Sequence, residues 1–155
     1  MMEVVEETNL TGGFFLRRMQ ESDLEEVLEI EEASFPTPWT KHAFMREMLL
    51  PLSHFWVVLY RTEVIGYIGY WYIEGEVQIL NLAVKDEFRK KGIAKQMLMY
   101  ILDVVYNNGA KSIYLEVRRS NLVAQKLYKS LGFEVSGYRS NYYEHESEDA
   151  ILMKK

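Results

Sequence analysis

Leu82-Ala83-Val84-Lys85-Asp86-Glu87-Phe88-Arg89-Lys90-Lys91-Gly92-Ile93-Ala94-Lys95 joins a strand to a helix, and the fold is read outward from it. An apolar run over 76–84 ends in its first three residues. From 92 to 108 the spacing of Ile93, Ala94, Met97, Leu98, Ile101, Leu102 and Val105 predicts one apolar helical face, closed by Asn108-Gly109 as a C-terminal cap. Between the two, Arg89, Lys90, Lys91 and Lys95 put four positive charges around Gly92 at the helix start. A helix N-terminus offers unpaired N–H groups and the positive end of the dipole, so a phosphate site is one reading. Gly92 lets a ligand approach the main chain closely, and small Ala94 leaves the first turn uncrowded for a pyrophosphate. A basic, solvated helix start is the other reading. Neither Gly-x-x-x-x-Gly-Lys-Ser/Thr nor Gly-x-Gly-x-x-Gly occurs, which sets aside the two common nucleotide motifs.

Upstream, β-branched and aromatic residues fill three runs, 55–60, 64–73 and 76–84, separated by Arg61-Thr62-Glu63 and Glu74-Gly75, which predicts an antiparallel meander. Before it, Ser22 and Glu25 read as a capping box opening a helix over 23–33, with Leu24, Val27, Leu28 and Glu31 at helical spacing. Its many carboxylates read as a solvated face. Phe35-Pro36-Thr37-Pro38-Trp39 breaks that helix, and a second one after Thr40 carries Phe44, Met45, Met48 and Leu49 until Pro51. Downstream, 112–117 reads as a buried strand, 121–131 as a helix ended by Gly132, and 133–139 and 149–154 as closing strands. With a short strand at Phe14–Leu16, the order is β-α-α-β-β-β-α-β-α-β-β. That predicts an α/β fold on a mixed sheet, because strands joined through a helix run parallel.

The 155 residues fit one domain, expected over 14–155 behind a flexible leader at 1–13 that ends Thr11-Gly12-Gly13. There is no cysteine, hence no disulfide, thiolate ligand or thiol nucleophile. A net charge of −5 argues against general nucleic-acid binding, and no apolar run reaches the ~18 residues of a membrane span. The acidic start lacks the basic and apolar regions of a signal peptide, so a cytoplasmic location is expected. His42, His54 and His145 have no metal-site spacing, and no metal is expected.

Leu82-Ala83-Val84 followed by Arg89-x-x-Gly92-x-Ala94 resembles the acetyl-CoA signature of the GNAT N-acetyltransferases. Leu115-Glu116-Val117-Arg118 with Ser120-Asn121, then Ala124 to Phe133, then Asn141-Tyr142-Tyr143 with Glu148-Asp149-Ala150 and Met153, are similar to the protein N-terminal acetyltransferases. Within that group the chain resembles the RimI-like ribosomal-protein alanine acetyltransferases and the archaeal N-terminal acetyltransferase catalytic subunits. Phe35-Pro36-x-x-Trp39 resembles the RimI Phe-Pro-Trp turn with two residues inserted. The likeness spans roughly 14–154.

What the resemblance implies is a GNAT fold whose fourth and fifth strands, 76–84 and 112–117, run parallel and splay apart, flanked by helices. Pantetheine of acetyl-CoA would lie between them on main-chain groups of Leu82, Ala83 and Val84. Its phosphates would rest on Arg89, Lys90, Lys91, Gly92, Ile93, Ala94 and Lys95. Glu116 would accept the proton of the attacking amine, and Tyr128 would donate toward the departing sulfur. Asn121 would contact the cofactor, while Phe35, Pro36, Tyr142 and Tyr143 would clamp the acceptor. Acceptors would be protein or peptide N-termini, ribosomal proteins among them, with an auxiliary subunit or ribosome association open. The alternatives are a GNAT enzyme acting on lysine or a small amine, and a non-catalytic acetyl-CoA-binding module.

Each residue also has a plain reading. Glu116 could pair with Arg118 or Lys126, Tyr128 could pack on the apolar face of Ala124, Leu127 and Leu131, and Asn121 could be only an N-cap. Tyr142 and Tyr143 could be an exposed aromatic ledge in the last loop, beside an acidic run of Glu144, Glu146, Glu148 and Asp149. At the position where archaeal and eukaryotic relatives often carry a histidine on the fourth strand stands Gln78, which cannot titrate.

Overall fold

A computed structural model describes residues 7–143 and 148–155, and the side chains of all of these but 141–143 and 148. Strand β2 (Phe14–Arg18) pairs with β3 (Ser53–Tyr60), and β3, β4 (Glu63–Ile73) and β5 (Glu76–Val84) form the expected antiparallel meander. Helix α3 (Ile93–Asn107) leads to β6 (Ser112–Arg118), which runs parallel to β5, and α4 (Leu122–Ser130) leads to β7 (Glu134–Tyr143) and β8 (Glu148–Lys154). Two helices, α1 (Leu24–Ser34) and α2 (Lys41–Met48), lie between β2 and β3 in the chain. The eight strands are ordered β1-β2-β3-β4-β5-β6-β8-β7 in one mixed sheet.

Three expectations are corrected. Glu7–Asn9 of the expected leader form a strand, β1, antiparallel to β2 at the sheet edge, because Thr11-Gly12-Gly13 turns the chain back with Gly12 and Gly13 both at φ +83°. The capping box is Gln20 with Asp23 rather than Ser22 with Glu25. Asp23 accepts the Gln20 N–H at 2.7 Å while Arg17 grips both its oxygens at 2.7 and 2.9 Å, so a short 3-10 turn precedes α1. Tyr142 and Tyr143 belong to the end of β7, which outruns its expected limit, rather than to a loop.

The sheet is covered on both faces. On one, Met97, Leu98, Ile101 and Leu102 of α3 and Tyr128 of α4 bury against Trp56, Ile68, Ile79, Leu115, Val117 and Met153. On the other, Leu24, Val27, Ile30 and Phe44 of α1 and α2 bury against Val57, Val64, Tyr67 and Ala83. Trp39, Phe44 and Phe55 form an edge-to-face and tilted aromatic group on this second face. Gly69 makes room for it. A Cβ there would lie 2.2 Å from Phe55 Cε1.

Near the far end of the sheet, Arg18 Nη1 lies 2.9 Å from His54 Nδ1, His54 stacks on Tyr70, and the guanidinium covers Trp56 at 4.5 Å. The geometry requires a neutral imidazole accepting from Arg18. Burial, reinforced by the Arg18 charge, lowers the His54 pKa to about 4.

Gly69→Ala should cost about 1–3 kcal/mol in urea unfolding, since Phe55 must leave its packed position. Wild-type stability at this residue would refute the close packing. The unfolded chain protonates His54 near 6.5 and the folded chain only near 4. The stability tied to the neutral ring is therefore full above pH 6.5 and is lost as pH falls toward 4. His54→Gln should flatten the decline in unfolding free energy between pH 6.5 and 5, and an unchanged slope would exclude His54 as its source.

Candidate active site

Parallel pairing between β5 and β6 covers only Glu76–Gln78 against Ser112–Tyr114. Beyond these pairs β5 continues to Val84 and β6 to Arg118, each bonded on its outer edge, to β4 and β8 respectively. Among the described residues no strand pairs with the inner edges beyond this point, so the sheet opens into a cleft. A bulge helps to open it: Tyr70 pairs with Ile79 and Gly69 with Asn81, leaving Leu80 as an extra residue that bends β5 where it parts from β6.

Leu82, Ala83 and Val84 lie on that bare stretch of β5. At its mouth stands the first turn of α3, whose N-cap Gly92 has φ +75° and no side-chain cap. Lys90 is also left-handed, at φ +63°. The turn thus presents main-chain N–H groups of Ile93, Ala94 and Lys95 outward without a protein acceptor in the helix, as an anion-binding turn does. Nothing lies within 4 Å of where a Gly92 Cβ would be, so a ligand can reach this backbone. The side chains of Lys90, Lys91 and Lys95 are exposed around it. Arg89 differs from the other three cations. Its Nε donates to Val84 O at 2.9 Å, and its guanidinium meets Ser34 Oγ at 3.3 Å and Asp86 Oδ1 at 2.5 Å. It fastens the end of β5 to α1. An extended ligand with amides and a pyrophosphate fits this arrangement of bare strand edge and uncapped helix end.

Glu116 and Tyr128 lie on opposite faces of the sheet. Burial alternates along β6, so Leu115 and Val117 pack with Tyr128 under α3 and α4 while Glu116 projects to the α1/α2 face. This alternation, rather than a fully buried strand, is what admits a carboxylate there. Glu116 is 25% exposed, and its partner is neither Arg118 nor Lys126. Arg139 of β7 sits 3.6 Å from it, across the intervening β8. Tyr128 is 8% exposed, edge-on to Phe133 at 5.8 Å. Asn121 caps α4, accepting the Ala124 N–H at 3.1 Å. Gln78 is the last residue of β5 to pair with β6.

Phe35 and Pro36 lie in the turn between α1 and α2, with Phe35 partly buried against the second core and Pro36 exposed. The side chains of Tyr142, Tyr143 and Glu148 lie outside the described residues, as do Glu144, His145 and Glu146 entirely. The site also contains a group that sequence reading assigned to solvent. Glu31 is 1% exposed and accepts from Trp39 N–H at 2.8 Å, Asn81 Nδ2 at 3.1 Å and the Tyr67 hydroxyl. Burial, with the Glu31 charge adding to it, pushes the Tyr67 phenol above its ordinary range. Asn81 itself is 7% exposed, and its Oδ1 has no hydrogen-bond partner. The sequence held two signals for this network: Glu31 falls in register with Leu24, Val27 and Leu28, and Asn81 interrupts an apolar strand.

The chain matches the acetyltransferase (GNAT) family over residues 24–133. A Bacillus subtilis (strain 168) protein provisionally designated ribosomal protein bS18-alanine N-acetyltransferase is 37% identical over 139 residues, 89% of this chain and 92% of that protein. The ribosomal protein bS18-alanine N-acetyltransferase of Haemophilus ducreyi is 32% identical over 139 residues, 86% and 93% of the two chains. The crystal structure of the ribosomal-protein-S18-alanine N-acetyltransferase from Escherichia coli superposes with a TM-score of 0.85 at 26% identity, covering 91% of this chain and 92% of that one. With a sheet parted between its parallel strands and a glycine-started helix at the opening, the chain belongs to the GNAT acetyltransferase family.

Proposed function

We propose that this chain transfers an acetyl group from acetyl-CoA to the N-terminal α-amine of a protein, in the cytoplasm. The observation that carries the reading is the cleft itself: bare β5 edge, uncapped α3, and one carboxylate, Glu116, on the face opposite Tyr128. The names borne by the relatives at 37% and 32% identity, both alanine N-acetyltransferases of a ribosomal protein, support the choice of acceptor.

Acetyl-CoA, when bound, supplies the acetyl thioester. Main-chain groups of Leu82, Ala83 and Val84 hold its pantetheine amides as an added strand would, and the first turn of α3 with Lys90, Lys91 and Lys95 holds its phosphates. Glu116 accepts a proton from the amine as it attacks, directly or through water. An α-amine of pKa about 7.8 is partly neutral at pH 7, whereas a lysine near 10.4 needs about 3.5 kcal/mol more, so a single glutamate suits the α-amine better. Tyr128 directs its hydroxyl toward the sulfur. A phenol near 10 is a weaker acid than a thiol near 8.5, so it acts through a hydrogen bond that tightens as charge develops. Phe35 and Pro36 on one side, and Tyr142 and Tyr143 on the other, bound the acceptor.

Gly92→Asp places a negative side chain where the phosphates approach, and should raise the KM for acetyl-CoA at least about tenfold and abolish the rise in Tm that acetyl-CoA gives the wild type. An unaltered KM would move the phosphates elsewhere. Glu116→Gln should reduce turnover of a free N-terminal peptide by about 10²- to 10⁴-fold at pH 7. The deficit should shrink toward pH 9, where the amine arrives already neutral. Wild-type turnover at pH 7 in a folded, cofactor-binding variant would remove Glu116 from the reaction.

A further inference from the structure

Pairing across the sheet sets Glu116, Leu152 and Gly137 in one row over β6, β8 and β7, and Arg118, Ala150 and Arg139 in a second row two residues along. Residues two apart on a strand share a face, so Glu116 and Arg139 stand on the same side of the sheet. Two strand spacings of about 4.8 Å and two residues of about 3.3 Å put their backbones about 12 Å apart. The two side chains close that distance, and Arg139 Nη1 comes to 3.6 Å from Glu116 Oε1. What lies beside Arg139 is small. Gly137 has no side chain and Ala150 is a fully buried methyl, so the guanidinium crosses β8 over low ground.

Strand order fixes the side from which this cation arrives. β6 has the cleft on one side and β8, then β7, on the other. Arg139 therefore approaches Oε1 from behind, and Oε2 is the oxygen left to face the cleft. The other ionisable groups on this face do not take its place. Lys154 Nζ stands over the Tyr114 ring at 5.5 Å, and Glu31 is enclosed by Trp39, Tyr67 and Asn81. With side chains 54% and 25% exposed, the pair adds little to stability, so direction is what it contributes.

We propose that Arg139 is a positioning residue for Glu116, holding one carboxylate oxygen from the β8 side so that the other meets the acceptor amine. The inference rests on the reading of Glu116 as the proton acceptor. Without the cation the glutamate side chain samples rotamers that turn it from the cleft, and fewer encounters find the carboxylate in place. The contact is made by one nitrogen, not by a two-pronged fork, so an ammonium of similar reach can replace it.

The test combines Arg139→Met, Arg139→Lys and Glu116→Gln, singly and as the double variant Arg139→Met with Glu116→Gln, assayed on a free N-terminal peptide at pH 7. Arg139→Met should lower kcat about tenfold with the KM for acetyl-CoA unchanged, and its acetyl-CoA-dependent rise in Tm should match the wild type. Arg139→Lys should stay within about threefold of wild-type kcat. In the Glu116→Gln background, Arg139→Met should cost no more than about twofold, because nothing remains to be positioned. Undiminished or faster turnover by Arg139→Met, a lysine variant no better than methionine, or a tenfold loss that persists without Glu116 would each overturn the proposal. Wild-type turnover by Glu116→Gln is a separate result: it removes the proton-acceptor reading first, and the positioning role with it.

Discussion

Main-chain amides in the middle of a sheet cannot be left bare without cost, and β5 and β6 have no strand partner on their facing edges over more than half their length. Everything around the cleft is arranged to tolerate this. The outer edges stay bonded to β4 and β8, the bulge at Leu80 turns β5 away from its neighbour, and Arg89 ties the free end of β5 through the Val84 carbonyl to Ser34 of α1. What remains unsatisfied is an extended row of donors and acceptors with a helix N-terminus at one end, the complement of a long, partly peptidic molecule ending in phosphates.

One buried carboxylate, Glu31, links this gap to the turn between α1 and α2. Glu31 bonds the turn at Trp39, the core hydroxyl of Tyr67 and the β5 residue Asn81, next to Leu82. A buried charge is tolerated where several donors converge on it, and three do so here. The turn carrying Phe35 and Pro36 and the strand along the cleft are consequently parts of one hydrogen-bonded unit.

How much of this could be read from the residues depends on what each element's signal was. The meander, α3 and its glycine start were legible, because periodicity and a motif of backbone-critical residues agree there. The parting of β5 and β6 was legible only through the family resemblance, since both strands have ordinary apolar patterns. Glu31 was misread because helix α1 has six polar or charged positions to distribute and its carboxylates look alike without the sheet beneath them. The partner of Glu116 was missed for a different reason: Arg139 is 23 residues away and reaches it only because β8 lies between β6 and β7. Strand order of this kind is not encoded in any local window. Likewise β1 follows from a glycine turn whose handedness is visible only once the backbone is known.

That inserted strand also sets an order of events during synthesis. β7 is made before β8 yet touches the sheet only through it, so β7 has nowhere to dock until the ribosome has passed residue 148 and beyond. Arg139 travels with β7, and Glu116 therefore meets its cation only when the last-formed strand has slotted in between. Until then a nascent chain holds the long-range pairings of its sheet incomplete, the situation in which folding is slowest and an open strand edge is most exposed to other chains.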